Sequence, residues 1–276
     1  TLFGLGLKRL SNNLKVNLLV MFVTIGIVLY GFETYLEFWY CDPRSSMKVL
    51  DDLRDSGVEA YPNACPVLFL KSNGINTNNG VIYPLGTISN STTTHTNEAG
   101  YHAIIETDEH GFNNPKGLYN KNKVDIVLTG DSFTEGYSVH SNESIGAVLR
   151  QLDYNAISVG KGGNGPLIEL AALKEYAEPL KPKIILWVYF VNDLYNLVDE
   201  MRSSFLMKYL NEDDYSQNLI SRQEEIDGVL KNFVQGVWEK KRKKFVFSLL
   251  CCGGIKINIK KTKLDLLKLT QLRKMI

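Results

Sequence analysis

The chain has 276 residues, 44% of them hydrophobic and 22% charged. This excludes a disordered or collagen-like chain and a multi-span membrane protein, and four cysteines exclude a disulfide-dense scaffold. The net charge of +1 gives no expectation of a nucleic-acid partner, but it hides an asymmetry: residues 240–276 hold twelve of the 31 Lys+Arg and one of the 30 Asp+Glu. The chain opens on Thr1, and its four histidines are His95, His102, His110 and His140.

Residues 16–32, VNLLVMFVTIGIVLYGF, carry no charge and reach the lower end of the roughly 17–25 residues that cross a bilayer. Lys8, Arg9 and Lys15 precede the run, whereas Glu33, Glu37 and Asp42 follow it. Basic flanks favour the cytoplasmic side, so residues 1–15 are expected inside and the rest outside the cytoplasm. Tyr30, Phe32, Tyr35, Phe38, Trp39 and Tyr40 form an aromatic belt at the outer end. A buried core helix or a cleaved signal peptide are the alternatives. The run lacks a polar face and no small-x-small cleavage site follows, which favours a signal anchor over 16–34 in the inner or plasma membrane, single-pass, with a periplasmic domain. In that oxidising space Cys41 and Cys65 either pair or remain two small hydrophobes.

Residues 35–120 read as an extracytoplasmic juxtamembrane lobe. Met47, Leu50 and Leu53 repeat at helical spacing, and the turn-rich stretches NGINTNNG (73–80) and SNSTTT (89–94) predict a small, irregular β-containing region. From residue 121 strands and helices alternate. VDIVLT (124–129), NAISVG (155–160) and KIILWVYF (183–190) predict three strands, the last the most apolar and therefore expected to be central. Helices are expected over 143–152, from Pro166, over about 193–210 and over about 217–244. This alternation predicts an α/β domain with a parallel sheet over 121–276.

Ligands bind beyond the carboxyl ends of such strands. The three ends carry Gly130-Asp131-Ser132, Gly160 with Gly162-Gly163-Asn164, and Asn192-Asp193. A serine, a glycine-rich loop and an asparagine on one edge suit acyl transfer, with backbone N–H and amide donors for an oxyanion. At these residues the chain resembles the SGNH (GDSL-like) hydrolases and acyltransferases. In VLTGDSFTEG, Ser132 takes the nucleophile's place; ISVGKGGNG offers Gly163 as the oxyanion glycine, with Gly160 as runner-up; Asn192 matches the asparagine of Gly-x-Asn-Asp. The resemblance covers about residues 121–200 and implies a three-layer, flavodoxin-like parallel-sheet fold. Two departures stand out. Phe190 replaces the glycine of the third block, and no Asp-x-x-His supplies the general base and its orienter. His140 and His110 are the upstream histidines that could replace it, although an exposed or structurally satisfied ring suits each as well. Asp193 also reads as a helix cap.

A second resemblance lies in ETDEHGFNNP (106–115). Membrane-anchored SGNH-like proteins of bacterial surface-polysaccharide O-acetylation carry a similar D-x-x-G-F-x-N stretch. It implies a substrate-side loop with Asp108 and Asn113 as contacts, beside Asp131 and Gly160 at the strand ends; a polar turn is the plainer alternative.

The sequence therefore predicts a membrane-anchored serine esterase or O-acyltransferase acting on acylated carbohydrate through an acyl-enzyme. Its rival is a non-catalytic scaffold of a polysaccharide-modifying assembly. Cys251 and Cys252 are adjacent with no histidine near, so no metal or organic cofactor is expected. The basic end, KKRKK (240–244) and the leucine-bearing 255–276, reads as a solvated helix face, as an amphipathic helix on anionic headgroups, or as a surface for anionic polysaccharide. The missing fourth block carries a further expectation: Thr1 and Ile276 are truncation points, the chain alone turns over little ester, and the 183–190 strand borders an unpaired edge.

Overall fold

The computed structural model describes residues 11–40, 42–120 and 123–251. The described residues fall in two compact units, one holding 11–40, 42–43 and 247–251 and the other Arg44–Val246.

In the first unit, α1 spans Asn12–Tyr40. Its segment Asn12–Leu36 holds an 18-residue stretch with a mean hydropathy of 2.0 and is long and apolar enough to cross a membrane; a signal sequence shares those two properties. Its threonines bond inside the helix, Thr24 Oγ1 to Val20 O (2.9 Å) and Thr34 Oγ1 to Tyr30 O (2.7 Å). Both threonine hydroxyls are thereby satisfied within the helix. Phe32, Tyr35 and Trp39 form a staggered aromatic row towards its end. Cys41 lies outside the described residues, as do 252–276 of the basic end.

The second unit begins with α2 (Ser46–Asp55), capped by the Ser45 hydroxyl, which accepts from Lys48 N. Two antiparallel hairpins follow: β1 (Ile75–Thr77) with β2 (Gly80–Ile82), and β3 (Thr92–Thr94) with β4 (Ile104–Glu106). The expected boundary at residue 120 is not a packing boundary. Ala64, Phe69, Ile82 and Tyr83 of the first stretch share one core with Val127, Ile157 and Ile168. Strands of three residues cannot bury enough surface to stand alone.

The α/β part has three parallel strands, β5 (Ile126–Gly130), β6 (Ala156–Ser158) and β7 (Ile184–Val188). Their order is β6-β5-β7, with Leu128 opposite both Ser158 and Leu186. Between β5 and β6 lie α3 (Ser132–Glu135) and α4 (Ile145–Gln151); between β6 and β7 lies α5 (Pro166–Ala172), opened by Pro166. Alternate β5 side chains enter different clusters. Ile126 and Leu128 join Ala156 and Leu149 of α4, whereas Val127 joins Leu167 and Ile168 of α5. The β5–β6 pair is thus covered on both faces.

The most apolar strand is not central, contrary to expectation. The chain steps from β5 to one side and returns past it to the other, which leaves the first strand in the middle and β7 at the edge among the described residues. Beyond β7, the helix expected over 193–210 is broken into α6 (Asp193–Glu200) and α7 (Ser204–Asn211). Ser203 makes the break: its hydroxyl accepts from Leu206 N and donates to Asn73 Oδ1 (2.6 Å). Finally α8 (Gln223–Cys251) lays Ile226, Leu230 and Val234, spaced by four, into the main core.

Candidate functional site

Because β6 and β7 flank β5 on opposite sides, the strand order reverses at β5. Crossover helices leave on opposite faces there, and in open α/β sheets this is the point at which ligands bind. The carboxyl end of β5 is Gly130-Asp131-Ser132.

Gly130 closes β5 where no side chain fits. An added Cβ would stand 2.7 Å from the carbonyl oxygen of Val188, its rung partner on β7. Asp131 is buried and caps α3, accepting from Phe133 N at 3.0 Å. Ser132 is therefore the first residue of a four-residue helix, with its N–H among the free donors of a helix start. It is half-buried, and among the described residues its hydroxyl has no hydrogen-bond partner.

Asn192 precedes α6, and its Nδ2 donates to Asp131 Oδ2 at 3.3 Å. The end of β7 is thus tied to the residue beside Ser132. Asp193 is buried; one carboxylate oxygen accepts from Phe190 N (2.7 Å) and the other has no partner among the described residues. Burial and the nearby Asp131 charge raise its pKa. It staples the 190–193 turn from the first position of α6 and does not cap the helix as expected: the N-cap is Asn192, which makes no side-chain cap bond. Phe190, where the SGNH pattern has glycine, packs against Phe133 with ring centroids 4.5 Å apart and planes tilted by 40°, and both rings are partly exposed. An apolar wall thus adjoins the serine.

The loop after β6 approaches from the other side, where Lys161 N donates to Gly130 O (3.3 Å). Gly160 is a packing glycine: a Cβ there would meet Thr134 at 2.6 Å. Gly163 has φ +79° and its carbonyl accepts from Asn196 Nδ2 at 3.4 Å. Ser132, Gly163 and Asn192 thus follow three parallel strands on one sheet edge, with Asn192 linked to Asp131 and the Gly163 loop to Gly130.

Asp108 and Asn113 are placed inward. The Asp108 carboxylate accepts from His110 N, Phe112 N, Asn114 Nδ2 and Tyr119 Oη, all within 2.9 Å, and is fully buried. It organises its own loop, and burial raises its pKa against those four bonds. Asn113 Nδ2 donates to Glu135 O (2.8 Å), and Asn114 pairs with both backbone groups of Ser158. The 106–115 loop is thereby stitched to α3 and β6. It also borders a cleft of about 980 Å³ whose wall includes Asn113, Asn114, Lys116, Asn142, Arg150 and Gln151.

No histidine contacts Ser132 among the described residues. His110 bonds to Gln223 and packs edge-on against Tyr119. His140 stacks on Tyr101, and His102 bonds to the carbonyls of His95 and Arg44. His95 is buried, its Nδ1 accepting from Ser138 N (3.3 Å) and its Nε2 facing Glu135 Oε1 (3.2 Å). Only the neutral ring with its proton on Nε2 satisfies both partners.

Three further features lie beyond the reach of the motifs. Glu135 and Lys161 form a buried ion pair with His95 and Asn63 around it. Burial opposes the Glu135 charge, but the Lys161 ammonium and His95 outweigh it and hold the carboxyl well below its usual range. Glu200 caps α5 by accepting from Gly165 N and Leu167 N, although burial lifts its pKa to about 7. Glu169 on α5 takes the Trp187 indole N–H, and burial, with Asp193, Glu200 and Asp131 nearby, raises its carboxyl to about 7. The motif blocks do contain Glu135 and Lys161, but pairing over 26 residues has no local periodicity to betray it. Among the described residues no group of His, Cys, Asp and Glu side chains could hold a metal ion. Cys65 is largely enclosed, which pushes its thiol up to about 12.

Comparison with family models, with curated proteins and with solved structures finds no match.

Proposed function

We propose that the chain is a membrane-anchored, extracytoplasmic SGNH-type serine esterase or O-acyltransferase acting on acylated carbohydrate. One observation carries the reading. Ser132, with an unengaged hydroxyl, opens a helix at the buried end of the middle strand, and Asn192 from the neighbouring strand reaches the residue beside it. In this reading Ser132 Oγ attacks the ester carbonyl and gives its proton to a base. Ser132 N–H, Gly163 N–H and Asn192 Nδ2 stabilise the oxyanion. The alcohol leaves with a proton, and the acyl group passes to water or to a sugar hydroxyl. The base is expected on an Asp-x-x-His loop, which residues 1–276 do not contain. The amide and basic side chains that border the cleft beside the 106–115 loop support a carbohydrate, and the apolar span with Lys8, Arg9 and Lys15 before it supports a single-pass anchor with the site outside the cytoplasm.

A non-catalytic scaffold is the second reading. It is favoured by the absence of any histidine contact to Ser132 among the described residues and by engagement of the Asn192 amide with Asp131. A fluorophosphonate probe separates the two. Labelling that disappears in Ser132→Ala supports the serine enzyme; no labelling of the folded protein even with imidazole supplied as an external base, at probe concentrations that modify ordinary serine hydrolases, favours the scaffold.

A further inference from the structure

Glu135 closes the helical turn that Ser132 opens, and Lys161-Gly162 immediately precede Gly163. All of these sit where the loops after β5 and β6 face each other. The Glu135 side chain divides its oxygens between two tasks. Oε1 takes the Lys161 ammonium, His95 Nε2 and Asn63 Nδ2 (3.1 Å), whereas Oε2 takes the backbone N–H of Gly162 at 2.6 Å. The ammonium is held a second time by Asn63 Oδ1 at 2.9 Å. Both members are almost completely buried, and their two charges cancel with His95 neutral.

Burying such a pair is costly, and apolar residues of like volume often serve stability equally well. Its geometry supplies what apolar residues cannot, which is a directed acceptor for one backbone N–H. We infer that Glu135 and Lys161 are positioning residues, a buried clamp that sets the Lys161–Gly162 peptide against the Ser132 turn. Lys161 orients the carboxylate and Glu135 holds the peptide; neither touches substrate. With Gly162 N–H turned inward, the next N–H, that of Gly163, remains for an oxyanion. The inference rests on the reading of Gly163 as an oxyanion donor only for its catalytic consequence, because the mechanical clamp is measurable without turnover.

Two double variants of the whole chain test it. Glu135→Leu with Lys161→Met removes both charges and the acceptor. Glu135→Gln with Lys161→Met removes the charges but keeps an acceptor for Gly162 N–H. Hydrogen exchange at Gly162 is expected to accelerate at least about tenfold in the first and to return to within about threefold of wild type in the second, with Val127 and Leu128 unchanged in both. Labelling of Ser132 by a fluorophosphonate should slow and recover in parallel. If exchange responds while the wild type itself never labels, the clamp stands and the esterase reading falls. Unchanged exchange at Gly162 in a folded Leu/Met variant overturns the clamp. Should that variant not fold, Glu135→Asp, one methylene shorter with its charge kept, must show the same local acceleration or the clamp is equally overturned.

Discussion

Replacing Glu169 by Gln is expected to remove about half of a decline in stability between pH 5 and pH 8. The side chain is fully buried, and one carboxylate oxygen has no partner among the described residues. Burial is the main cause of its raised pKa, followed by the Asp193, Glu200 and Asp131 charges, against the Trp187 N–H that favours ionisation; the outcome is about 7 against an ordinary 4.5. A raised folded pKa means that the native state holds the proton longer than the unfolded chain. Its contribution is fully present below the unfolded value and is lost as pH climbs through the folded one. At 1.36 kcal/mol per pKa unit, this one carboxyl should cost the wild type about 2.5 kcal/mol between pH 5 and pH 8. Glu200, also near 7, adds a loss of the same sign. Glu135, held low, has the opposite sign, and its stabilisation disappears only as pH falls below the ordinary carboxylate range. Stability should therefore peak on the acid side of neutrality. Urea unfolding of the whole chain in mild detergent, followed by circular dichroism at pH 5 and pH 8, measures the effect. Glutamine still accepts the indole N–H, so the variant should gain on wild type as pH rises. An identical pH dependence in the two proteins would show that Glu169 ionises normally and that the carboxylates near α5 do not sense one another.

Asn192→Ala should lower kcat by about 10²–10³ with little change in KM, as loss of one oxyanion donor does; a change in KM alone would assign Asn192 to substrate binding. Asp108→Asn sets a side-chain NH₂ against two donors, Asn114 Nδ2 and Tyr119 Oη, and should destabilise the fold by about 2–3 kcal/mol in a thermal melt. Weakened substrate binding with an unchanged melt would restore Asp108 as a substrate contact. Gly130→Ala drives a methyl against the Val188 carbonyl and should cost more than about 2 kcal/mol, read by the same melt.

Much of the α/β part was legible because its signals are local. VDIVLT, NAISVG and KIILWVYF become β5, β6 and β7, each trimmed by a residue or more, and Pro166 opens α5 where its missing N–H costs nothing. The two hairpins stayed hidden as strands, since three residues give no readable alternation. The break between α6 and α7 depends on Ser203 meeting Asn73, 130 positions away. At the site, the serine turn and the Asn192 turn are short-range features. The interior placement of Asp108 is not, because a D-x-x-G-F-x-N stretch reads the same whether its carboxylate faces a ligand or its own backbone. Glu200 looks like a surface residue of an amphipathic helix until α5, whose N-terminus it caps, is packed beside it. Charged residues that act through partners 26 or 35 positions away cannot be told from solvated ones by spacing.

The edge position of β7 leads to a last prediction. Its residues are rung partners of β5, Ile126 with Ile184, Val127 with Ile185 and Leu128 with Leu186. Their environments differ sharply: Val127 is wholly buried whereas Ile185 is 50% exposed. Exposure alternates with face along a strand covered on one side, yet Ile184, Ile185, Leu186 and Trp187 are all exposed, so both faces of β7 are open among the described residues. Full burial of such a side chain is worth about 1.5–3 kcal/mol, so on the order of 4 kcal/mol remains unrealised along these four. An open, apolar edge of this kind invites pairing with other chains. Ile185→Lys should therefore cost the whole chain less than about 1 kcal/mol and reduce its concentration-dependent association in sedimentation, because the new charge faces water. Val127→Lys, on the same rung of the middle strand, should prevent folding under the same conditions. If Ile185→Lys instead costs several kcal/mol, another element covers β7, and the strand has the interior place that its composition first implied.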